Sequence, residues 1–259
     1  MNSTEDIERQ REHFNRIAAK YYCSRQDLRH LYLKRKIWEK FFSDIPLSKK
    51  ENLHILEAMC GYGEAYSISQ SHINQKFSFD AFDYSDNMVQ YVRVRYPDMN
   101  VWTQDVTTFH TSQSYDLIYI IGGLHHVHKY ASKVMQNIAN SLVPGGLFIN
   151  FEPTHNNFLF AAIRNAIYAK NSFFDKDTER GFTTKELDMM AQEHGLQVTK
   201  QMYPGLLAYV LWYNPDAFPL LNKGSLPFVQ KFVDAESRLW DSKIARPFSF
   251  ATLSCYQKA

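Results

Sequence analysis

Across residues 5–43 the apolar positions recur at intervals of three and four. Phe14, Ile17, Ala18 and Tyr21 form one stripe, and Leu28, Leu31, Tyr32, Ile37, Trp38 and Phe41 form a second. That period predicts two helices. The polar stretch "DIPLSKKEN", with Pro46 inside it, ends the pattern and reads as a linker. From there short apolar runs alternate with helical ones. "LHILEA" predicts a strand and a helix from about 64, and "FSFDAFD" a second strand with a helix from about 86. "MNVWTQD" predicts a third strand, "YDLIYII" a fourth followed by a helix over 129–142, and "GGLFINFE" a fifth. Alternation of this kind implies an α/β fold, a mostly parallel, doubly wound sheet with helices on both faces.

Beyond the fifth strand the best-marked helix is "TTKELDMMAQEHGL". Thr183 and Glu186 have the spacing of a capping box, and Gly195 stands where a C-terminal cap belongs. "LQVTKQMY" and "FSFATLSCYQ" predict strands six and seven. Between them runs an aromatic-rich segment, 204–247, that includes an amphipathic helix around "LPFVQKFVDAESRLW". No internal repeat or low-complexity tract interrupts the chain. The expected organisation is a helical N-terminal part over 1–50, a core over 51–203, and an insertion with the final strand over 204–259.

Composition narrows the classes. With 45% hydrophobic residues in 259, the chain has material for one large buried core. A formal charge of +2 gives no electrostatic footprint for nucleic acid, and the basic residues between Arg9 and Lys50 are broken by Glu8, Glu12, Asp27, Glu39 and Asp44. Three distant cysteines suggest neither a disulfide framework nor a zinc cluster. The N-terminal residues carry no signal-peptide pattern, and no apolar run has the length of a membrane span. A soluble, cytoplasmic protein is the expectation, with no membrane and no nucleic-acid partner.

The chemistry concentrates at "HILEAMCGYGEAYSISQ", residues 54–70. A strand, a glycine turn and a helix make a polar-ligand site, because the helix N-terminus offers free N–H groups and Gly61 and Gly63 allow close backbone approach. Asp83 ends the second strand twenty residues after Gly63, the spacing of an acid that grips ribose hydroxyls. Tyr66 occupies the place of the third glycine of a nicotinamide fingerprint, which disfavours a dinucleotide.

"ILEAMCGYGE", "FDAFDYSDNMVQ", "TQDVTTF", "YDLIYIIGGLHHV" and "LVPGGLFINFE", in this order, resemble the successive motifs of class I S-adenosylmethionine-dependent methyltransferases over residues 50–152. The resemblance implies a seven-stranded Rossmann-like methyltransferase fold and S-adenosyl-L-methionine as cofactor. It implies that Glu57, Gly61 and Gly63 meet the methionine end and that Asp83 binds the ribose. Tyr84 would pack beside the adenine, Asp105 would take its amino group, and Val106 would offer its backbone N–H. "HFNRIAAKYY" is similar to the opening helix of many small-molecule methyltransferases, which implies that Tyr21 and Tyr22 belong to a lid over the cofactor. One departure stands out: Met59 replaces the family's usual glycine.

In such a fold the methyl acceptor lies beyond strands four and five, here "GGLHHVH" and "FEPTHNN". No Asn/Asp-Pro-Pro-aromatic motif of DNA-base methylation is present, and no acidic metal ligand of catechol methylation. A metal on His125, His126 and His128 is weighed, and none is expected. His126, His125 and Glu152 are the candidate catalytic groups, each with packing or capping as the alternative. His155 shares the region with Glu152 and carries the same alternative. Tyr209, Trp212, Tyr213 and Phe218 are candidates for a roof over the acceptor, or for a dimer contact. The expected activity is methyl transfer to N or O of a small-molecule or peptide-derived acceptor, such as a specialised metabolite, by a monomer or homodimer. An RNA or protein methyltransferase, or a cofactor-binding scaffold without turnover, remains the alternative.

Overall fold

The computed structural model describes residues 8, 11, 12, 15, 16, 22, 23, 25–157, 181–215 and 219–259. Phe14, Ile17, Ala18, Tyr21 and Phe218 lie outside them, as does most of the first expected helix.

Seven strands form one sheet: β1 (Asn52–Ala58), β2 (Lys76–Asp83), β3 (Asn100–Thr103), β4 (Tyr115–Ile121), β5 (Leu142–Pro153), β6 (Leu196–Met202) and β7 (Ala251–Lys258). Their spatial order is β3-β2-β1-β4-β5-β7-β6. Strands β1 to β5 are parallel, while β7 runs antiparallel between β5 and β6. The central strand β4, YDLIYII, is buried over its first six residues, as a strand covered on both faces requires. The order reverses direction at β1 and β4, so their C-terminal ends open a crevice where ligands bind in such sheets.

The helices divide between two cores. On one face lie α1 (Leu28–Phe42), α2 (Glu64–His72), α3 (Asp86–Arg95), α6 (Leu207–Trp212) and α7 (Leu226–Glu236). On the other lie α4 (Ala131–Ser141) and α5 (Thr184–Glu193). Caps follow the side chains. Asp27 Oδ1 accepts the Arg29 N–H at 2.9 Å, Ser85 caps α3, and Thr183 and Glu186 form the expected capping box.

Helix α1 is bound to the sheet by Trp38, which is 1% exposed and meets Tyr119 and Phe151 edge-on with ring centroids 6.4 and 6.1 Å apart. Loss of such a ring costs ~3–5 kcal/mol. Its outer face is tied to the insertion: Tyr32 Oη donates to Asp234 at 2.8 Å, and Lys40 pairs with Asp241 at 2.6 Å. Helix α1 and the insertion are thus joined on one face of the sheet.

Two expectations change in detail. The helix expected over 129–142 begins only at Ala131, after a 3-10 stretch, Leu124–Tyr130, broken by the non-helical Val127. Trp212, expected above the acceptor, is 2% exposed and donates its indole N–H to the Lys223 carbonyl at 2.9 Å, so it is a core residue of the insertion.

Candidate active site

The turn between β1 and α2 is built from three left-handed residues, Met59 (φ 56°), Gly61 (φ 51°) and Gly63 (φ 73°). A Cβ on Gly61 would meet nothing within 4 Å, so the space above it is open, whereas one on Gly63 would press the Tyr96 ring at 3.2 Å. Two carboxylates hold the turn. Glu57 Oε1 accepts the Ala65 N–H at 3.0 Å, replacing the side-chain cap that Gly63 cannot supply. Asp83 Oδ2 accepts the Gly61 N–H at 2.8 Å, and its Oδ1 accepts the Ser85 N–H at 2.9 Å.

Both carboxyls are raised above their ordinary values, chiefly by burial, with their backbone N–H donors opposing. Glu57 is 1% exposed, and its Oε2 is buried without a partner. Glu64, which opens α2, is held below the usual carboxylate range. Burial works to raise it, but the Lys34 charge at 2.8 Å outweighs that.

Further along the sheet edge, Asp105 Oδ1 accepts from the Thr107 N–H and hydroxyl, both at 2.8 Å, and Val106 is buried beside it. Tyr84 donates to Glu8 at 3.3 Å and lies under the Arg11 guanidinium at 5.8 Å. Ser85 Oγ meets Asn15 Oδ1 at 2.5 Å. Tyr22 packs on Tyr62 and Tyr91, with centroids 5.3 and 4.9 Å apart, so it adjoins the glycine turn itself. The described residues of the N-terminal segment therefore touch both the turn and the loop after Asp83. Tyr62 and Tyr91 carry no motif that would single them out in the sequence.

After β4 the chain turns at Gly122 (φ 64°) and curls around Glu152. Glu152 Oε1 accepts the N–H groups of Gly123 and Leu124 at 3.0 and 2.8 Å, and Oε2 accepts that of His125 at 3.3 Å. The same Oε2 lies 2.8 Å from His125 Nδ1. Glu152 is fully buried, and desolvation raises it to about 7 against the pull of these donors and of His126. The His126 ring packs on His125, with centroids 3.9 Å apart. Among the described residues, no three His, Cys, Asp or Glu side chains are grouped to hold a metal ion.

On the cover side of the same edge, the Tyr209 and Tyr213 rings stack 4.5 Å apart and meet Phe151 edge-on. His30, on α1, packs against Tyr213. It was not singled out by the sequence, where it is one more position among the buried residues of a helix.

Seven strands in this order, with the glycine turn after the first, make the Rossmann-like methyltransferase fold. Residues 55–146 match the family model described as a methyltransferase domain. The chain carries that domain over residues 55–146 and shares the Rossmann-like fold of the solved structures it resembles. The fold is similar to a putative methyltransferase of Haloferax volcanii solved with a methyltransferase activator, at 15% identity over 94% of this chain and 96% of that one, TM-score 0.62. It is similar to a putative sarcosine dimethylglycine methyltransferase from Galdieria sulphuraria, at 14% identity over 88% and 85%, TM-score 0.58. It also resembles the DhpI-SAM-HEP complex, at 15% identity over 77% and 94%, TM-score 0.57. No curated protein matches the sequence. Among the described residues, no helix is long and apolar enough to cross a membrane.

The residues present fit the cofactor. Gly61 leaves open space at the turn, and Glu57 Oε2 is a buried polar atom without a partner.

Proposed function

We propose that the protein is an S-adenosylmethionine-dependent methyltransferase that moves the methyl group to N or O of a small, partly apolar acceptor, such as a specialised metabolite or a modified peptide. The observation that carries this reading is the Glu152–His125 pair at the end of β4 and β5, with the Tyr209–Tyr213–Phe151 aromatic wall on the same edge.

The bound cofactor supplies a sulfonium that is already a strong methyl donor. What remains for the chain is to bind it, orient the acceptor and take up a proton. In this reading Glu57, Gly61 and Gly63 hold the methionine end, and Asp83 the ribose. Asp105, Val106 and Tyr84 hold the adenine. Ionised Glu152 accepts from His125 Nδ1–H, which fixes the tautomer and leaves Nε2 as the basic atom. Glu152 itself reaches no acceptor, since its oxygens are spent on three N–H groups and the imidazole. We therefore assign it to positioning, His125 to the proton, and His126 to the wall beside them.

The N-terminal segment with Tyr21 and Tyr22, and the insertion over 204–247, act as covers that exclude water. The contact of Tyr22 with Tyr62 supports that role.

The test is mass spectrometry of a cell metabolite extract incubated with protein and S-adenosylmethionine. A small molecule that gains one methyl mass, with S-adenosylhomocysteine formed in step, is expected. Methylation confined to RNA or protein in the same extract overturns the acceptor class.

A further inference from the structure

Helix α7 runs on into a 3-10 turn, Ser237–Leu239, and Glu236, Ser237 and Trp240 all keep right-handed helical angles. Positions three and four apart therefore share a face along its whole length. One face, with Val229, Val233, Ser237 and Trp240, is buried. A second meets α1. There Asp234 accepts from the Tyr32 hydroxyl at 2.8 Å and pairs with Lys36 at 3.5 Å, and Asp241 pairs with Lys40 at 2.6 Å. The third face is open to solvent and carries Phe228, Lys231, Ala235, Arg238 and Leu239. Phe228 and Leu239 are 56% and 55% exposed.

The open face carries no acid. Among the described residues of the insertion, every carboxylate is turned away from it. Asp234 and Asp241 are engaged with α1, and Glu236 accepts the Ala208 N–H at 3.0 Å and the Trp240 indole N–H at 3.3 Å. The loop before α7 extends the same face. A Cβ on Gly224 would stand 3.3 Å from Phe228 Cδ1, so the loop lies against that ring. Just ahead of Gly224 come Leu220, Leu221 and Lys223, all exposed, Leu220 to 81%. Exposed apolar side chains thus alternate with unopposed cations, a combination that marks an interaction surface.

We infer that this face of the insertion docks the protein on a bilayer of anionic lipids. Phe228, Leu239 and Leu220 enter the headgroup boundary, and Lys223, Lys231 and Arg238 meet the lipid phosphates. Charge complementarity selects this occupant over a second copy of the chain. In a two-fold contact the face would meet itself, setting Lys231 and Arg238 against their own kind with no carboxylate to answer them. Docking is to the surface, since among the described residues no helix is long and apolar enough to span. The sequence led to an expectation of no membrane because a net charge of +2 over the whole chain hides a local face of one sign. The inference does not depend on which acceptor is methylated.

The test is flotation of the full chain with vesicles of phosphatidylcholine alone and of phosphatidylcholine mixed with phosphatidylglycerol. Binding to the anionic vesicles should be at least about tenfold tighter than to the neutral ones and should weaken as salt is raised. Lys231→Glu together with Arg238→Glu should lower it by at least about tenfold, and Phe228→Ser by about fivefold or more. All three positions are exposed, so urea midpoints should hold and the loss reads docking alone. Lys133→Glu with Lys185→Glu, on α4 and α5 across the sheet, makes the same change of net charge and should alter binding by less than about twofold. Equal binding to both vesicles, or an equal loss from the α4 and α5 pair, overturns the inference. So does a protein that floats with neither vesicle, and one that sediments as a dimer dissociated by Phe228→Ser gives the face to a second copy instead.

Discussion

Met59 and Gly123 are matched to each other across the ends of β1 and β4. A Cβ on Gly123 would stand 2.9 Å from both the Cβ and the Sδ of Met59, and 3.2 Å from Ile120 Cγ2. Met59 itself holds a left-handed backbone conformation, φ 56°, at the position where related turns carry glycine. Such a conformation costs a side-chain-bearing residue roughly 1–2 kcal/mol. The chain keeps the turn at that cost, and the bulk of Met59 shifts the demand for glycine to residue 123.

The pair makes a double-mutant prediction. Gly123→Ala should lower stability by about 1–3 kcal/mol, because the Met59 Cβ cannot swing away as its sulfur can. Met59→Gly should change stability by under about 1 kcal/mol, relieved strain offsetting lost packing and a freer unfolded chain. Combined, the two should cost at least about 1 kcal/mol less than the sum of the single changes. Urea unfolding of the four proteins measures the cycle, and strict additivity would show that the two residues do not compete for space.

Much of the fold was legible because periods of two and three to four survive in the elements themselves. The run YDLIYII could only be a strand covered on both faces, and Thr183 with Glu186 announced the start of α5. The reversed direction of β7 was not legible, since an apolar strand reads the same in either direction. For Glu152 the sequence left both an acceptor contact and a loop-stabilising hydrogen bond open, because its position at a strand end said nothing of the three N–H groups that curl onto it. His30 was invisible for the opposite reason. It lies among the buried positions Leu33, Ile37 and Trp38 of α1, and only the geometry shows that its Nδ1 is held by the Tyr213 carbonyl while Nε2 has no partner.

Asp83 already holds the Gly61 N–H, so its loss should act on the turn and on the ribose together. Asp83→Ala should weaken S-adenosylmethionine binding at least tenfold, since charge-assisted hydrogen bonds are worth about 1.5–3 kcal/mol each. Calorimetry measures this, and an unchanged dissociation constant would remove Asp83 from the cofactor site.

His125 and Glu152 should separate by their readouts. His125→Ala should lower turnover by about 10²–10⁴-fold while S-adenosylhomocysteine affinity stays nearly constant. Glu152→Ala strands three N–H donors and should also cost about 3 kcal/mol or more of stability. The Glu152 carboxyl, raised to about 7 by burial, must be ionised to accept from the imidazole, so turnover should climb as pH rises through that value. A pH profile flat between 6 and 8 in the unsubstituted enzyme would contradict the pairing.

His30 should leave a signature in acid. Its imidazole is about 4 in the fold and about 6.5 in an unfolded chain, so the unfolded state takes up a proton first as pH falls. The stability it contributes is complete above pH 6.5 and is lost as pH drops toward 4. At pH 5 the loss from this group should be about 2 kcal/mol, at 1.36 kcal/mol per unit of pH. Urea midpoints of the natural protein at pH 7 and pH 5, against those of His30→Gln, isolate it. Equal pH slopes in the two proteins would mean that His30 charges freely inside the fold.

Tyr22 provides the sharpest handle on the cover. It contacts Tyr62, which lies between Gly61 and Gly63, and Tyr91 on α3, while the Arg95 guanidinium stands 5.7 Å from its ring. Three aromatic rings and a cation thus meet at the turn. Aromatic contacts of this kind contribute about 0.5–1.5 kcal/mol each, enough to close a short segment without locking it. Tyr22→Ala should therefore leave global stability within about 1 kcal/mol of the natural protein and raise amide exchange in the N-terminal segment. If this segment closes over the cofactor, S-adenosylhomocysteine should slow exchange there in the natural protein and less so in the variant. Deletion of residues 1–22 should leave a folded core that binds cofactor weakly and turns over poorly. Exchange that ignores the ligand, together with full activity of the truncated chain, would reduce the segment to an appendage.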